Sequence, residues 1–178
     1  RAEAAGRPVV LVGNSLGGFL ALIHAHRHPA DVRLVVAVNG AIMRGGNAEA
    51  AAMLLPRTRN DARRVMEALM SPKAPRVPDF VLDDFVSRAP ASPLSRLANA
   101  PLSTFEEWLP DDKLHEIAPP VVLIWGAAAR LIPLPYAEQA RARLPHATLE
   151  TIPDCGHVPQ RECPAALLPL LQAAISPK

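Results

Sequence analysis

Gly13-Asn14-Ser15-Leu16-Gly17 constrains this chain more than any other stretch. An all-apolar run, Val9 to Val12, leads into it. Leu16, Phe19, Leu20 and Ile23 lead out at the i, i+3, i+4, i+7 spacing of one helix face. The order reads as strand, tight turn, helix, with His28-Pro29 as the helix stop. A Gly-x-Ser-x-Gly in this setting is the pattern of a nucleophile elbow, a turn so sharp that the serine hydroxyl stands clear of the sheet. The pattern predicts that a side chain at either Gly13 or Gly17 would collide with its surroundings. It makes Ser15 a candidate nucleophile. It also sets the Leu16 N–H at a helix start, aimed where an oxyanion would form. The plainer alternative is a glycine-rich helix start with a buried serine.

The chain around this turn is 178 residues long and 49% hydrophobic, one domain's worth with enough apolar content for a packed core. Its net charge of +2 comes from 19 basic and 17 acidic residues, scattered in both signs. With no basic stripe and only 4% aromatic residues, nucleic acid is excluded as an expected partner. No apolar run approaches the roughly 20 residues that cross a bilayer, so no transmembrane segment is expected. The chain begins with Arg1 and shows no charged-then-apolar leader. The expectation is a piece of a longer protein, cytoplasmic by default, completed by a missing N-terminal segment or a partner chain. Cys155 and Cys163 are too few for a disulfide framework. A single bridge between them stays open, but two reduced thiols are the expectation. His24 and His28 lie one helical turn apart with no third ligand on that helix. A zinc site wants three or four ligands, so no metal or other cofactor is expected.

The apolar runs Arg33 to Val38 and Val121 to Trp125 read as strands, and Ala147 to Ile152 looks like a fourth. Helical patterns alternate with them, from about Tyr136 to Leu144 and from about Cys163 to Ile175. Pro169 falls inside the last and is expected to kink or split it. Such alternation predicts a parallel sheet of βα units flanked by helices. Residues 41–103 break the alternation. Thr58-Arg59-Asn60-Asp61 reads as a capping box before Ala62, Val65, Met66, Leu69 and Met70, and Pro78 opens a second helix with Leu82, Phe85 and Val86. Thr104-Phe105-Glu106-Glu107-Trp108-Leu109 adds another helical piece. The insertion is too long for an ordinary connection and reads as a lid over the strand ends, or else as a plain packing layer.

A second chemical group stands near the C-terminus, in Pro153-Asp154-Cys155-Gly156-His157-Val158-Pro159 with Glu162 and Pro164. Gly156 is expected to let the His157 ring reach out of its loop. A serine nucleophile needs a base at hydrogen-bond distance. Parallel strands end at one rim of the sheet, where Ser15 and His157 can meet. Taken alone, His157 would read as an ordinary loop histidine.

Together these motifs resemble an α/β-hydrolase of the esterase, lipase and C–C hydrolase superfamily, over essentially the whole chain. Gly13 to Gly18 is similar to that family's elbow, Gly156-His157-Val158-Pro159 with Glu162 and Pro164 to its histidine loop, and Leu123-Ile124-Trp125-Gly126 with Leu131-Ile132-Pro133 to the segment around its acid. Leu54-Leu55-Pro56, Val77-Pro78-Asp79-Phe80 and Thr104-Phe105 with Trp108-Leu109 resemble the cap of the monoacylglycerol-lipase-like branch. The resemblance implies a partial α/β-hydrolase: a core of 1–40 and 104–178 without its N-terminal strands, and a helical cap of 41–103. It implies hydrolysis of a small-molecule ester or acyl substrate, with Ser15 as nucleophile, His157 as base, Leu16 as oxyanion donor and water as second substrate. A C–C or amide hydrolase, or a binding protein without turnover, is the alternative. Leu54, Leu55, Met66, Leu69, Phe80 and Phe85 would suit an acyl chain, or serve as ordinary core. The family places its triad acid at the position of Ala129, and no acid occurs between Gly126 and Pro135. Some relatives carry the acid after the preceding strand, where this chain has Asn39. Asp154 shares a loop with His157 and is too close in sequence to reach its outer ring nitrogen. An impaired catalyst is the expectation.

Overall fold

A computed structural model describes residues 7–43, 53–93, 95 and 111–176. Four strands, β1 (Val9–Asn14), β2 (Val32–Val38), β3 (Val121–Gly126) and β4 (Ala147–Ile152), form one sheet in the order β1-β2-β3-β4. Every pair is parallel, with Ala37 opposite both Gly13 and Leu123, and Leu123 opposite Leu149. All four C-terminal ends therefore share one rim. The helices are α1 (Leu16–Arg27), α2 (Arg59–Leu69), α3 (Asp79–Arg88), α4 (Leu134–Arg143), α5 (Pro159–Glu162) and α6 (Pro164–Ile175).

The two central strands, β2 and β3, are apolar because the sheet is covered there on both faces, whereas β4, at an edge, carries the exposed Thr148, Glu150 and Thr151. Alternate residues take opposite sides. Val35 and Ala37 join Phe19 and Leu22 of α1, Leu123 and Trp125 of β3, and Ala137 and Ala140 of α4 in one core. Leu34, Val36 and Val38 join Ile124, Ile152, Cys155 and Leu167 of α6 in the other. The last helix is not split at Pro169. α6 runs through that proline to Ile175, and the chain breaks before it, at Cys163. Pro169 removes an N–H that would have met the carbonyl of Ala165, but Ala165 is exposed and water can take the N–H's place.

In the insertion, Thr58 and Asp61 form the capping box. The Asp61 N–H donates to Thr58 Oγ1 at 3.1 Å and the Thr58 N–H to Asp61 Oδ2 at 2.9 Å. Ala62 and Val65 of α2 and Leu82 of α3 are buried. Arg59 and Arg63 reach across to Asp83 and Asp79 at the exposed edge. Pro78 is the cap of α3, one residue before its first turn. Phe80, expected to suit an acyl chain or to serve as core, is 74% exposed and is no part of the core, because it lies on the face of α3 opposite Leu82 and Phe85. Leaving β2, the chain is pinned at Met43, whose carbonyl accepts from the Tyr136 hydroxyl at 2.7 Å and whose N–H donates to the same oxygen. The helical piece expected at 104–109, and residues 44–52, 94 and 96–103 of the expected cap, lie outside the described residues.

Candidate active site

β1 ends at Asn14 and α1 begins at Leu16, so Ser15 alone makes the turn, at φ 53 and ψ −120. A side chain in that region costs about 1–3 kcal/mol and persists only where the surroundings enforce it. Here they do: the Ser15 N–H donates to Val38 O, and Ser15 O accepts from the N–H groups of Gly18 and Ala41, each at 3.0 Å. A Cβ on Gly13 would stand 2.2 Å from the Gly17 carbonyl carbon and oxygen, which forbids any side chain there. Gly17 does not behave as expected. A Cβ there meets nothing within 4 Å, and the crowding falls instead on Gly18, where it would approach Gly40 Cα to 3.0 Å. Leu16 opens α1, so its N–H lies outside the helix's own hydrogen-bond ladder.

β4 leads through residues 153–158 into α5, and this loop carries His157. Its backbone is held on three sides. The His157 N–H donates to Leu69 O at 2.7 Å, at the end of α2. The His157 carbonyl accepts from Asn14 Nδ2 at 3.2 Å and from Asn39 Nδ2 at 3.1 Å. Asn14 immediately precedes Ser15, so the histidine loop is fastened directly to the serine turn. Gln160 Nε2 donates to Asn14 Oδ1 at 3.1 Å, which closes a second tie between them. Glu162 Oε2 accepts from the Ser71 N–H at 2.6 Å, just beyond α2.

The ring itself does not reach out, contrary to expectation: His157 is 1% exposed. Gly156 is needed for a different reason, since a Cβ there would come within 2.5 Å of Glu162 Oε1 and 2.6 Å of Ser71 N. Neither ring nitrogen of His157 has a hydrogen-bond partner among the described residues. The structure thus joins the two segments but forms no bond between the imidazole and the Ser15 hydroxyl. Burial pushes the His157 pKa down to about 4, so the ring is neutral at pH 7, the form that accepts a proton.

Cys155 and Cys163 form a disulfide, not the expected pair of thiols. The turn of α5 folds the chain back on itself and brings their Cα atoms to 6.2 Å, within bridging range. The bridge brackets both His157 and Glu162.

No carboxylate among the described residues is hydrogen-bonded to the ring. Ala129 sits in the turn after β3, 5% exposed and packed into the core on the α1 and α4 side. Asp154 turns outward to Lys73 at 2.7 Å. Asn39, at φ 42 and fully buried, accepts from the Gly126 N–H at 3.1 Å and donates to the carbonyls of Gly156 and His157. The sequence marked Asn39 only as a turn residue where some relatives keep an acid, and it gave no sign of Asn14 beyond its place in the elbow. His24 and His28 pack ring to ring with centroids 4.9 Å apart. No group of three or more metal-binding side chains occurs among the described residues. No helix there is long and apolar enough to cross a membrane.

Comparison with known proteins agrees with this fold. The sequence model described as the alpha/beta hydrolase family matches residues 1–170. A pimeloyl-[acyl-carrier protein] methyl ester esterase of Aromatoleum aromaticum is 30% identical over 84% of the chain and 67% of its own length. The chain spans only 54% of other curated relatives, uncharacterized mycobacterial proteins at 27% identity. Among solved structures, a lipase described as putative from Acinetobacter baumannii superposes with a TM-score of 0.74 at 22% identity, over 94% of this chain and 61% of that one. A meta-cleavage product hydrolase from Pseudomonas fluorescens does so with a TM-score of 0.73 at 19% identity, over 94% and 64%. At such identities the structures speak for the fold alone, a parallel sheet flanked by helices that is part of the alpha/beta hydrolase fold.

Proposed function

Because this chain belongs to the alpha/beta hydrolase family, we propose that it carries the reacting groups of a serine hydrolase of carboxylic esters. Ser15 Oγ attacks the ester carbonyl while His157 takes its proton, and the imidazolium returns that proton to the departing alcohol. Water, deprotonated by the same imidazole, then hydrolyses the acyl-enzyme. The Leu16 N–H stabilises the oxyanion. The observation that carries this reading is the Ser15 backbone: a strained non-glycine turn between a strand and a helix, tied to a loop that holds a neutral histidine. Strain of that kind clusters at reacting residues.

The substrate is a small ester with an apolar acyl part. Leu54, Leu55, Met66, Leu69 and Phe85, all partly buried, are the side chains of the insertion suited to it. The esterase relative acts on a methyl ester, which makes methyl esters the first substrates to try. Turnover is slow, because Ala129 leaves the imidazolium without a carboxylate. Triads stripped of their acid lose about four powers of ten in rate.

A second reading, a binding protein without turnover, is favoured by one observation, that the His157 ring nitrogens have no partner among the described residues. An alkyl fluorophosphonate separates the two. Covalent labelling of the folded chain that disappears in Ser15→Ala supports the hydrolase; absence of labelling in folded protein supports the binder.

A further inference from the structure

Asn39 stands at the end of β2, where an acid could serve His157 in principle, yet its side chain is committed elsewhere. Its one acceptor oxygen takes the Gly126 N–H at 3.1 Å, at the end of β3. Its amide nitrogen donates to the carbonyl oxygens of Gly156 at 3.2 Å and of His157 at 3.1 Å. Asn14 donates to that same His157 carbonyl from the serine turn, and to Val38 O at 2.9 Å. One carbonyl, that of the candidate base, thus receives two side-chain amides, one from the end of each of the first two strands. Both are needed as N–H donors. Asn39 is fully buried, so nothing from solvent can replace it.

We propose that Asn39 is a positioning residue for His157, acting as a hydrogen-bond donor that clamps the histidine loop to the ends of β2 and β3, with Asn14 sharing the clamp from the serine turn. The proposal rests on the hydrolase reading for its catalytic consequence but not for its geometry. It makes a prediction opposite to the simplest sequence argument. If position 39 were a vacant acid site, Asn39→Asp would restore a triad and speed the reaction. In the clamp, the aspartate keeps the acceptor for Gly126 but turns its other oxygen against two carbonyls. Aspartate tolerates a positive φ as asparagine does, so the backbone is not the variable. A buried carboxylate facing carbonyl oxygens takes up a proton more readily than usual, and the protonated acid regains one donor. The damage therefore shrinks as the pH falls.

Other titratable groups around the site are few. The serine turn has none, and the turn after β3 has none before Arg130. The histidine loop contributes His157, Glu162 and Asp154, the last paired with Lys73 from the segment after α2. His157 itself titrates near pH 4, so a change between about pH 5 and pH 8 reads residue 39.

The experiment compares wild type, Asn39→Asp and Ala129→Asp for the rate of Ser15 labelling by an alkyl fluorophosphonate at pH 5 and pH 8, alongside the ring resonances of His157. The expected result is labelling of Asn39→Asp slower than wild type by about tenfold or more at pH 8, with the gap closing at pH 5. Its His157 ring is expected to show more than one environment. Asn14→Asp, which is only partly buried, repeats the substitution on the other donor should Asn39→Asp not fold. An Asn39→Asp chain that labels as fast as wild type or faster, with a rate that rises with pH, overturns the clamp. If wild type does not label at all, the hydrolase reading fails. The ring resonances then decide the clamp alone: a His157 environment unchanged in Asn39→Asp overturns it.

Discussion

A buried imidazole with no partner among the described residues leaves a mark on stability. The His157 pKa lies at about 4 in the folded chain, below the ordinary histidine value of roughly 6.5, because burial penalises the charged ring. Between those two values the unfolded chain binds a proton that the native chain refuses. Stability from this residue is therefore flat above about pH 6.5, falls as the pH drops from 6.5 to 4, and ends about 3 kcal/mol lower. His157→Gln should remove that slope, and urea unfolding of both chains at stepped pH measures it by difference. A wild-type curve with the same slope as the variant would show that the ring is solvated. The same residue argues for Ala129→Asp. A carboxylate facing the ring would hold its tautomer, stabilise its cation and raise its pKa above 4. Ester turnover should rise by up to about four powers of ten. A folded Ala129→Asp chain that gains neither turnover nor a higher His157 pKa would show that position 129 does not face the ring.

Among the elements, the loop from Cys155 to Cys163 is the one whose integrity the site needs most. Its disulfide closes a short circuit of chain around His157 and Glu162. Closing a loop of this size limits the unfolded state by about 2–3 kcal/mol. A dithiol reductant should lower the melting temperature of the wild type and leave a Cys155→Ala, Cys163→Ala chain unmoved at its already lower value; equal melting with and without reductant would mean that the bridge carries no load. This loop also marks the limit of what the sequence made legible. The strands at Val9, Val32 and Val121 were readable as unbroken apolar runs, which the burial of β2 and β3 demands, and the more exposed strand at Ala147 from its place in the alternation of strands and helices. The capping box at Thr58 was readable because its partners are three residues apart. The serine turn was readable because its sterics are local, although the crowding fell on Gly18 and not on Gly17. The bridge, the two amides on the His157 carbonyl and the hold of Leu69 on the His157 N–H join residues distant in sequence or brought together only by a folded-back turn. No periodicity or spacing encodes such contacts. That Pro169 would leave its helix unsplit was not legible either, because what an interior proline does to a helix depends on what packs around it.

At the scale of the whole molecule, the described sheet has β1 at one edge. β2 beside it is almost wholly buried, whereas β1 is only partly covered. Val12 is 54% exposed and Leu20, on the helix that follows, is 48% exposed. An open apolar edge presents unpaired backbone donors and acceptors to any other chain. This places a tension in the molecule: the serine turn, a strained point of the backbone, hangs from a partly exposed edge strand. The expected consequence is self-association of the 178-residue chain that grows with concentration and consumes the exposed face of β1. Val12→Lys should oppose it, since a lysine on an edge strand keeps a second strand from docking. Light scattering during gel filtration, at stepped concentrations, measures the effect. The expected outcome is a shift toward monomer in Val12→Lys, with Ser15 labelling by the fluorophosphonate retained, because Val12 lies outside the bonds that hold the turn. A wild-type chain that stays monomeric at every concentration and melts in one sharp transition would mean that β1 is protected by residues other than those described.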